Sequence, residues 1–231
     1  MNILGKVIFT TLVMMGSSGQ VVCQDWANLE RFRDANQQLE AQTAVEPRIV
    51  LMGNSIIEGW PKFYPEFFES SAYVARGISG QTTPQMLLRF RQDVIDLNPA
   101  IVVILAGTND IAGNTGPMTL EEIHGYITSM CELARANDIN VVLSSVLPAY
   151  EYSWKKEVQP AHKIVELNKM LKRYAEDSNI TYLDYFTPMA DKRNGLKENY
   201  TYDGIHPNKS GYVMMSKLLQ LAIIEANRGT L

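Results

Sequence analysis

Two periods of apolar residues alternate along this chain. Compact apolar runs at residues 49–52, 73–78, 101–106 and 141–146, with a shorter one at 180–183, each stop at a glycine, a proline or a polar turn. Such runs predict strands buried in a sheet. The clearest is Ile-Val-Val-Ile-Leu-Ala at 101–106, apolar at every position, which predicts a strand covered on both faces. Between the runs the apolar residues fall at helical spacing. Trp26, Leu29, Phe32 and Leu39 predict a leading helix over 25–42. Thr83 as N-cap and Pro84 in the first turn open a second helix through Met86, Leu87, Phe90, Val94 and Leu97, which Pro99 closes. Thr119 and Glu122 form a capping box for a third helix ending near Asn137. Residues 161–174 and 208–226 predict two more, and 184–202 reads as a loop with one helical turn. Five strands alternating with helices predict an α/β fold: a parallel sheet with helices on both faces, joined by right-handed crossovers.

Composition narrows the partners. At 231 residues, 46% apolar and 20% charged, the chain suits one domain with a sizeable core. A net charge of -4 and scattered Lys and Arg leave no basic stripe for a phosphate backbone, so nucleic acid is not an expected partner. Residues 1–23 differ from the rest: Lys6, an apolar run at 7–15, then small and polar residues at 16–20. That order predicts a signal peptide with no transmembrane segment, because the apolar part is too short to span a bilayer. It leaves 24–231 as a single domain in a secreted or periplasmic protein. Cys23 offers the alternative of a lipid anchor, although Val21 and Val22 stand where a lipoprotein signal has small residues. With Cys23 removed, Cys131 has no disulfide partner and reads as a small buried hydrophobe. No CxxC pair or metal-type His spacing is present, so no metal is expected.

The candidate chemistry lies in the turns. Gly53-Asn54-Ser55, Gly77-Ile78-Ser79-Gly80 and Gly107-Thr108-Asn109-Asp110 follow the first three strands, and in a parallel sheet these turns open on one edge. Of three histidines, His124 and His162 sit in helical patterns. His206 instead lies in the turn Asp203-Gly204-Ile205-His206-Pro207, with a carboxylate three residues ahead. A serine hydroxyl becomes a nucleophile when a base takes its proton and a third group orients that base. Ser55, His206 and Asp203 fill those roles. The N–H groups of Ser55 and Gly80 and the side-chain amide of Asn109 can meet the oxyanion of a tetrahedral intermediate. The glycine-rich turn at 77–83 can also cradle an anion at a helix N-terminus, but a flavin-phosphate loop is expected after the first strand instead.

These blocks resemble the SGNH hydrolases, the GDSL-like lipase and acylhydrolase family, through Ser55 in GNSI, Gly80 in GISGQTT, Asn109 in GTND and His206 in DGIHP. The chain looks most like the branch with platelet-activating-factor acetylhydrolase-type subunits and secreted bacterial acetylhydrolases. The resemblance implies a three-layer α/β/α, flavodoxin-like fold around a five-stranded parallel sheet, an open site, and short-chain ester hydrolysis without a cofactor. It also implies that Asp203 is the third triad member, and relatives in the family allow a homodimer. One residue departs from the pattern: Asn54 stands where the family has Asp. The G-x-S-x-G elbow of α/β-hydrolases is absent. Trp60, Tyr150, Tyr152 and Trp154 are candidate substrate contacts, with packing as the competing role. Acetyl esters on carbohydrates are the expected substrates. Lysophospholipid or short-chain lipid esters are the alternative, and a silent sugar-binding module on the same fold is a second.

Overall fold

The computed structural model describes residues 25–40, 47–69 and 72–228. The expected signal peptide and Cys23 lie outside the described residues, and so do the last two residues of the expected leading helix. The strands are β1 (Ile49–Gly53), β2 (Tyr73–Gly77), β3 (Ile101–Leu105), β4 (Asn140–Ser144) and β5 (Thr181–Leu183). All neighbours are parallel, in the order β2-β1-β3-β4-β5. The helices are α1 (Arg33–Glu40), α2 (Ser55–Phe63), α3 (Thr83–Asp93), α4 (Thr108–Ile111), α5 (Leu120–Arg135), α6 (Pro160–Asp177), α7 (Phe186–Met189) and α8 (Lys209–Arg228).

The period of two along each strand divides the core into two layers. Val50, Met52, Val102, Ile104, Val141 and Leu143 face α3, α5 and α6, where they meet Phe90, Ile127, Cys131 and Leu167. Leu51, Ile101, Val103, Leu105 and Val142 face α2 and α8, where they meet Ile57, Trp60, Tyr212 and Met215. The expected fold is therefore observed, with helices on both faces of five parallel strands. Cys131 is a free, buried thiol whose pKa burial pushes up to about 12, as befits a packing residue. Among the described residues no helix is long and apolar enough to cross a membrane.

Three elements differ from their expected form. The leading helix is shorter: residues 25–32 are turns, and helix begins at Arg33. Asn28 takes a left-handed φ of 55°, which breaks a right-handed helix. The N-cap of α3 is Thr82 rather than Thr83, with the Thr82 N–H donating to Gln85 Oε1 at 3.0 Å. Helix α2 was not expected at all. It begins at Ser55 itself, and its apolar face of Ile56, Ile57 and Trp60 is interrupted by Gly59 and Pro61, residues that read as breakers in sequence but are tolerated once the face is packed.

Candidate active site

The strand register brings the three turns together. Gly53, the last residue of β1, pairs with Gly77 of β2 on one side and Leu105 of β3 on the other. Ser55, Gly80 and Asn109 thus leave the same edge of adjacent strands, as expected. Close backbone approach fixes the β1 and β2 ends: a Cβ on Gly77 would stand 2.2 Å from the Glu58 amide nitrogen. Asn54 caps α2, its Oδ1 accepting from the Ile56 N–H at 3.0 Å. An asparagine carbonyl thus does the bracing that the family's aspartate is expected to do. As the first residue of α2, Ser55 has an N–H with no carbonyl one turn behind it, free to point at an anion.

Ser55 Oγ lies 3.0 Å from His206 Nε2, across 151 residues of sequence. His206 Nδ1 lies 2.7 Å from Asp203 Oδ2. With Nδ1–H donated to the carboxylate, Nε2 is the lone-pair nitrogen that accepts the serine proton. The turn holding this pair is wired by its own backbone. Asp203 Oδ1 accepts from the N–H groups of Ile205 at 2.9 Å and His206 at 2.7 Å. Thr201 donates its hydroxyl to the His206 carbonyl at 2.7 Å and accepts from the N–H of Gly204 at 2.9 Å. Partial burial raises the Asp203 pKa, but hydrogen bonds from the His206 ring and from two backbone N–H groups outweigh it and hold the carboxyl below its ordinary range. Sequence reasoning missed Thr201, although a threonine two residues before an Asp-Gly pair is a turn signal.

The turn expected to meet an oxyanion is equally braced. Gln81 N–H donates to the Ile78 carbonyl at 3.3 Å, and Gly80 within that turn has φ 78°, the conformation that the third residue of a type II turn demands. A Cβ there would meet nothing within 4 Å. Glycine at this place is thus explained by backbone conformation, with open space left in front of it. Asn109 donates one amide hydrogen to the Gln81 carbonyl at 2.9 Å, which aims the side chain and leaves the second hydrogen for a ligand. Asp110 is a capping residue: its Oδ1 accepts from the Thr83 N–H at 2.8 Å and the Thr83 hydroxyl at 2.6 Å. Burial raises its carboxyl pKa against those bonds.

Beneath both turns lies a charge that the sequence pattern did not reveal. Arg89 is fully buried, pairs with Asp93 at 2.8 Å, and donates to the carbonyls of Gly53 at 2.9 Å and Arg76 at 3.0 Å and to Gln81 Oε1 at 2.6 Å. One planar guanidinium thereby ties the ends of β1 and β2 to the Gly80 turn. Removing it leaves the Asp93 carboxylate buried without its cation, its other hydrogen bond being the one from Asn36 Nδ2 at 2.8 Å. Arg89→Leu is expected to lower unfolding free energy by about 3–5 kcal/mol, and urea unfolding with a loss under about 1 kcal/mol would show that Asp93 needs no such partner.

The aromatic candidates divide. Trp60 is 1% exposed, packed among Phe67, Phe68 and Tyr212. Tyr152 is 0% exposed, its hydroxyl donating to the Thr108 carbonyl at 3.0 Å. Neither offers a ring to a substrate, which corrects the expectation for both: their size and apolarity are spent on the core. Tyr150 and Trp154 are about half exposed. Tyr150 lines a cleft of about 210 Å³ with Arg193, Gly195, Asp203 and Gly204. Tyr202, which sequence reasoning passed over, is more exposed still and stacks on the His206 ring at 5.9 Å. Among the described residues no group of three His, Cys, Asp or Glu side chains is arranged to hold a metal ion.

This arrangement can pass a proton from a serine to an imidazole braced by a carboxylate, beside N–H donors for a negative oxygen. The chain is similar to several known proteins. A structure from Bacteroides fragilis NCTC 9343, assigned as an acylhydrolase, is 47% identical with a TM-score of 0.84, covering 87% of this chain and 98% of its own. A GDSL-like lipase structure from Bacteroides thetaiotaomicron VPI-5482 is also 47% identical, with a TM-score of 0.83 and the same coverage. An acetylxylan esterase of Geobacillus stearothermophilus is 25% identical over 162 residues, 67% of this chain and 72% of that protein. Residues 51–214 match the model of one family, so the chain belongs to the GDSL-like lipase/acylhydrolase family and is a carboxylic ester hydrolase.

Proposed function

We propose that the protein is a serine esterase that removes short acyl groups, acetyl above all, from carbohydrates. The observation that carries the mechanism is the continuous chain Ser55 Oγ, His206 Nε2, His206 Nδ1, Asp203 Oδ2, at 3.0 and 2.7 Å. In the proposed reaction His206 takes the serine proton as Oγ bonds to the acyl carbon. The carbonyl oxygen becomes an oxyanion received by the N–H groups of Ser55 and Gly80 and the Asn109 amide. His206 then gives its proton to the departing sugar oxygen, leaving an acyl-serine. Water, deprotonated by the same imidazole, attacks that ester and frees the acid and Ser55.

Three observations support an acetylated carbohydrate. One relative is an acetylxylan esterase. The rings of Tyr150 and Trp154 are half exposed and that of Tyr202 more so, each resting on a neighbour (Arg193, Tyr152, and Phe63 with His206), and two of them stand beside the His206 turn. The Lys6 and 7–15 pattern suits export to where polysaccharides are met. In a panel of p-nitrophenyl acetate, butyrate and octanoate beside acetylated xylo-oligosaccharides, kcat/KM is expected to be highest for the acetyl sugars and to fall with acyl length. A preference for octanoate would replace this reading with a lipid esterase.

A further inference from the structure

Glu58 lies one helical turn beyond Ser55 on α2, and its carboxylate reaches across to the turn that follows β2. Its Oε2 accepts from the Ser79 backbone N–H at 2.9 Å and also from the Ser79 hydroxyl. Ser79 is the residue before Gly80, so both bonds hold the residue whose carbonyl carbon carries the Gly80 N–H. The same turn is held elsewhere by other groups: Ile78 N–H donates to the Gly53 carbonyl at 3.2 Å, Asn114 Nδ2 donates to the Gly80 carbonyl at 3.1 Å, and Asn109 and Arg89 hold Gln81. Each residue of the turn from 78 to 81 thus has its own tether. The tether at Ser79 is the one that comes from the nucleophile's own helix.

We infer that Glu58 is a positioning residue for the oxyanion site: through Ser79 it locks the Gly80 N–H to the helix that carries Ser55. This inference rests on the serine esterase reading above. The lock matters because a preorganised donor gives its full benefit only if it does not move as charge develops. Two groups that follow different strands, one nucleophile on α2 and one donor in the turn after β2, keep their separation when a single side chain bridges them. Partial burial raises the Glu58 pKa, but the Ser79 hydroxyl, the Ser79 N–H and Arg31 outweigh it and hold the group below the ordinary carboxylate range. It is therefore an ionised acceptor at neutral pH. Arg31, 3.4 Å from Glu58 Oε1, is half exposed and makes a surface ion pair of small weight.

The test uses the full chain with p-nitrophenyl acetate and a methylboronic acid, which forms a tetrahedral anion on a reactive serine. Glu58→Ala is expected to lower kcat about tenfold to a hundredfold, below the 10²–10³ that complete loss of one oxyanion donor costs. KM should stay within about twofold, and boronate affinity should fall in parallel with kcat. Glu58→Gln, whose amide carbonyl still accepts from the Ser79 N–H, should recover most of the loss, and Arg31→Ala should leave kcat unchanged. Because Glu58 is partly exposed, thermal midpoints of these variants should remain close to wild type. The inference is overturned by wild-type kcat in Glu58→Ala, by equal losses in Glu58→Gln and Glu58→Ala, by boronate affinity that does not follow kcat, or by an Arg31→Ala loss equal to that of Glu58→Ala. An active Ser55→Ala protein would instead overturn the esterase mechanism itself, so the two failures are distinguishable.

Discussion

Ser55→Ala is expected to hydrolyse p-nitrophenyl acetate on the order of 10⁵- to 10⁶-fold more slowly than the wild type in kcat, the scale on which removing a triad nucleophile acts. Ser55 Oγ is the hydroxyl in contact with His206 Nε2, while the hydroxyl of Ser79 is committed to Glu58. The small residual rate should come from the oxyanion donors and from binding alone. A second signature follows from the acyl-serine: wild type mixed with excess substrate should release p-nitrophenol in an initial burst where deacylation is slower than acylation, and the variant should show none. Equal rates in the two proteins would remove Ser55 from the mechanism.

Asp203→Asn is expected to cost about 10⁴-fold in kcat with little change in fold. Asp203 uses both oxygens, Oδ1 for the Ile205 and His206 backbone N–H groups and Oδ2 for His206 Nδ1. An asparagine has one acceptor oxygen. If that oxygen stays with the two backbone donors, the NH₂ group faces Nδ1 and requires it to be the lone-pair nitrogen. The proton then sits on Nε2, where it blocks transfer from Ser55. A kcat within tenfold of wild type would mean that the carboxylate is dispensable for the tautomer. The wild-type aspartate also ties stability to pH. Its folded pKa is depressed, so its contribution is present above the unfolded value of about 3.9 and is lost as pH falls through the lower folded value. Acid unfolding of Asp203→Asn should lack that component.

Much of this site was legible from sequence because its parts are local. Strands β1 and β3 are apolar at nearly every position because both faces of the sheet are covered, and a glycine marks each turn, Gly53 at the end of β1 and Gly107 two residues after β3. Asp203 and His206 share one short turn, so their pairing could be read from spacing three residues apart. What could not be read depends on contacts distant in sequence. The burial of Trp60 and Tyr152 is decided by α8 and by Thr108, neither of which adjoins them in sequence. The Glu58 to Ser79 tether spans 21 residues and leaves no periodic trace. Arg89 occupies a core-facing position of α3, where hydrophobic patterning expects an apolar residue; only the carbonyls gathered around it explain a charge there. Helix α2 escaped notice because Gly59 and Pro61 weaken its pattern, although Asn54 ahead of it is a good N-cap.

Two elements 156 residues apart also meet in one bond beside Ser55. The Tyr212 hydroxyl, on α8, donates to the Ile56 carbonyl at 2.8 Å, and rings run from Trp60 through Tyr212, Phe63 and Tyr202 to His206. Ser55 and His206 are therefore brought together only when α8 docks on α2, a long-range and slow step. A polypeptide still emerging from the ribosome carries Ser55 early but lacks the His206 turn. Esterase activity thus serves as a built-in reporter of completed folding, and its recovery after dilution from denaturant should trail the return of helical signal.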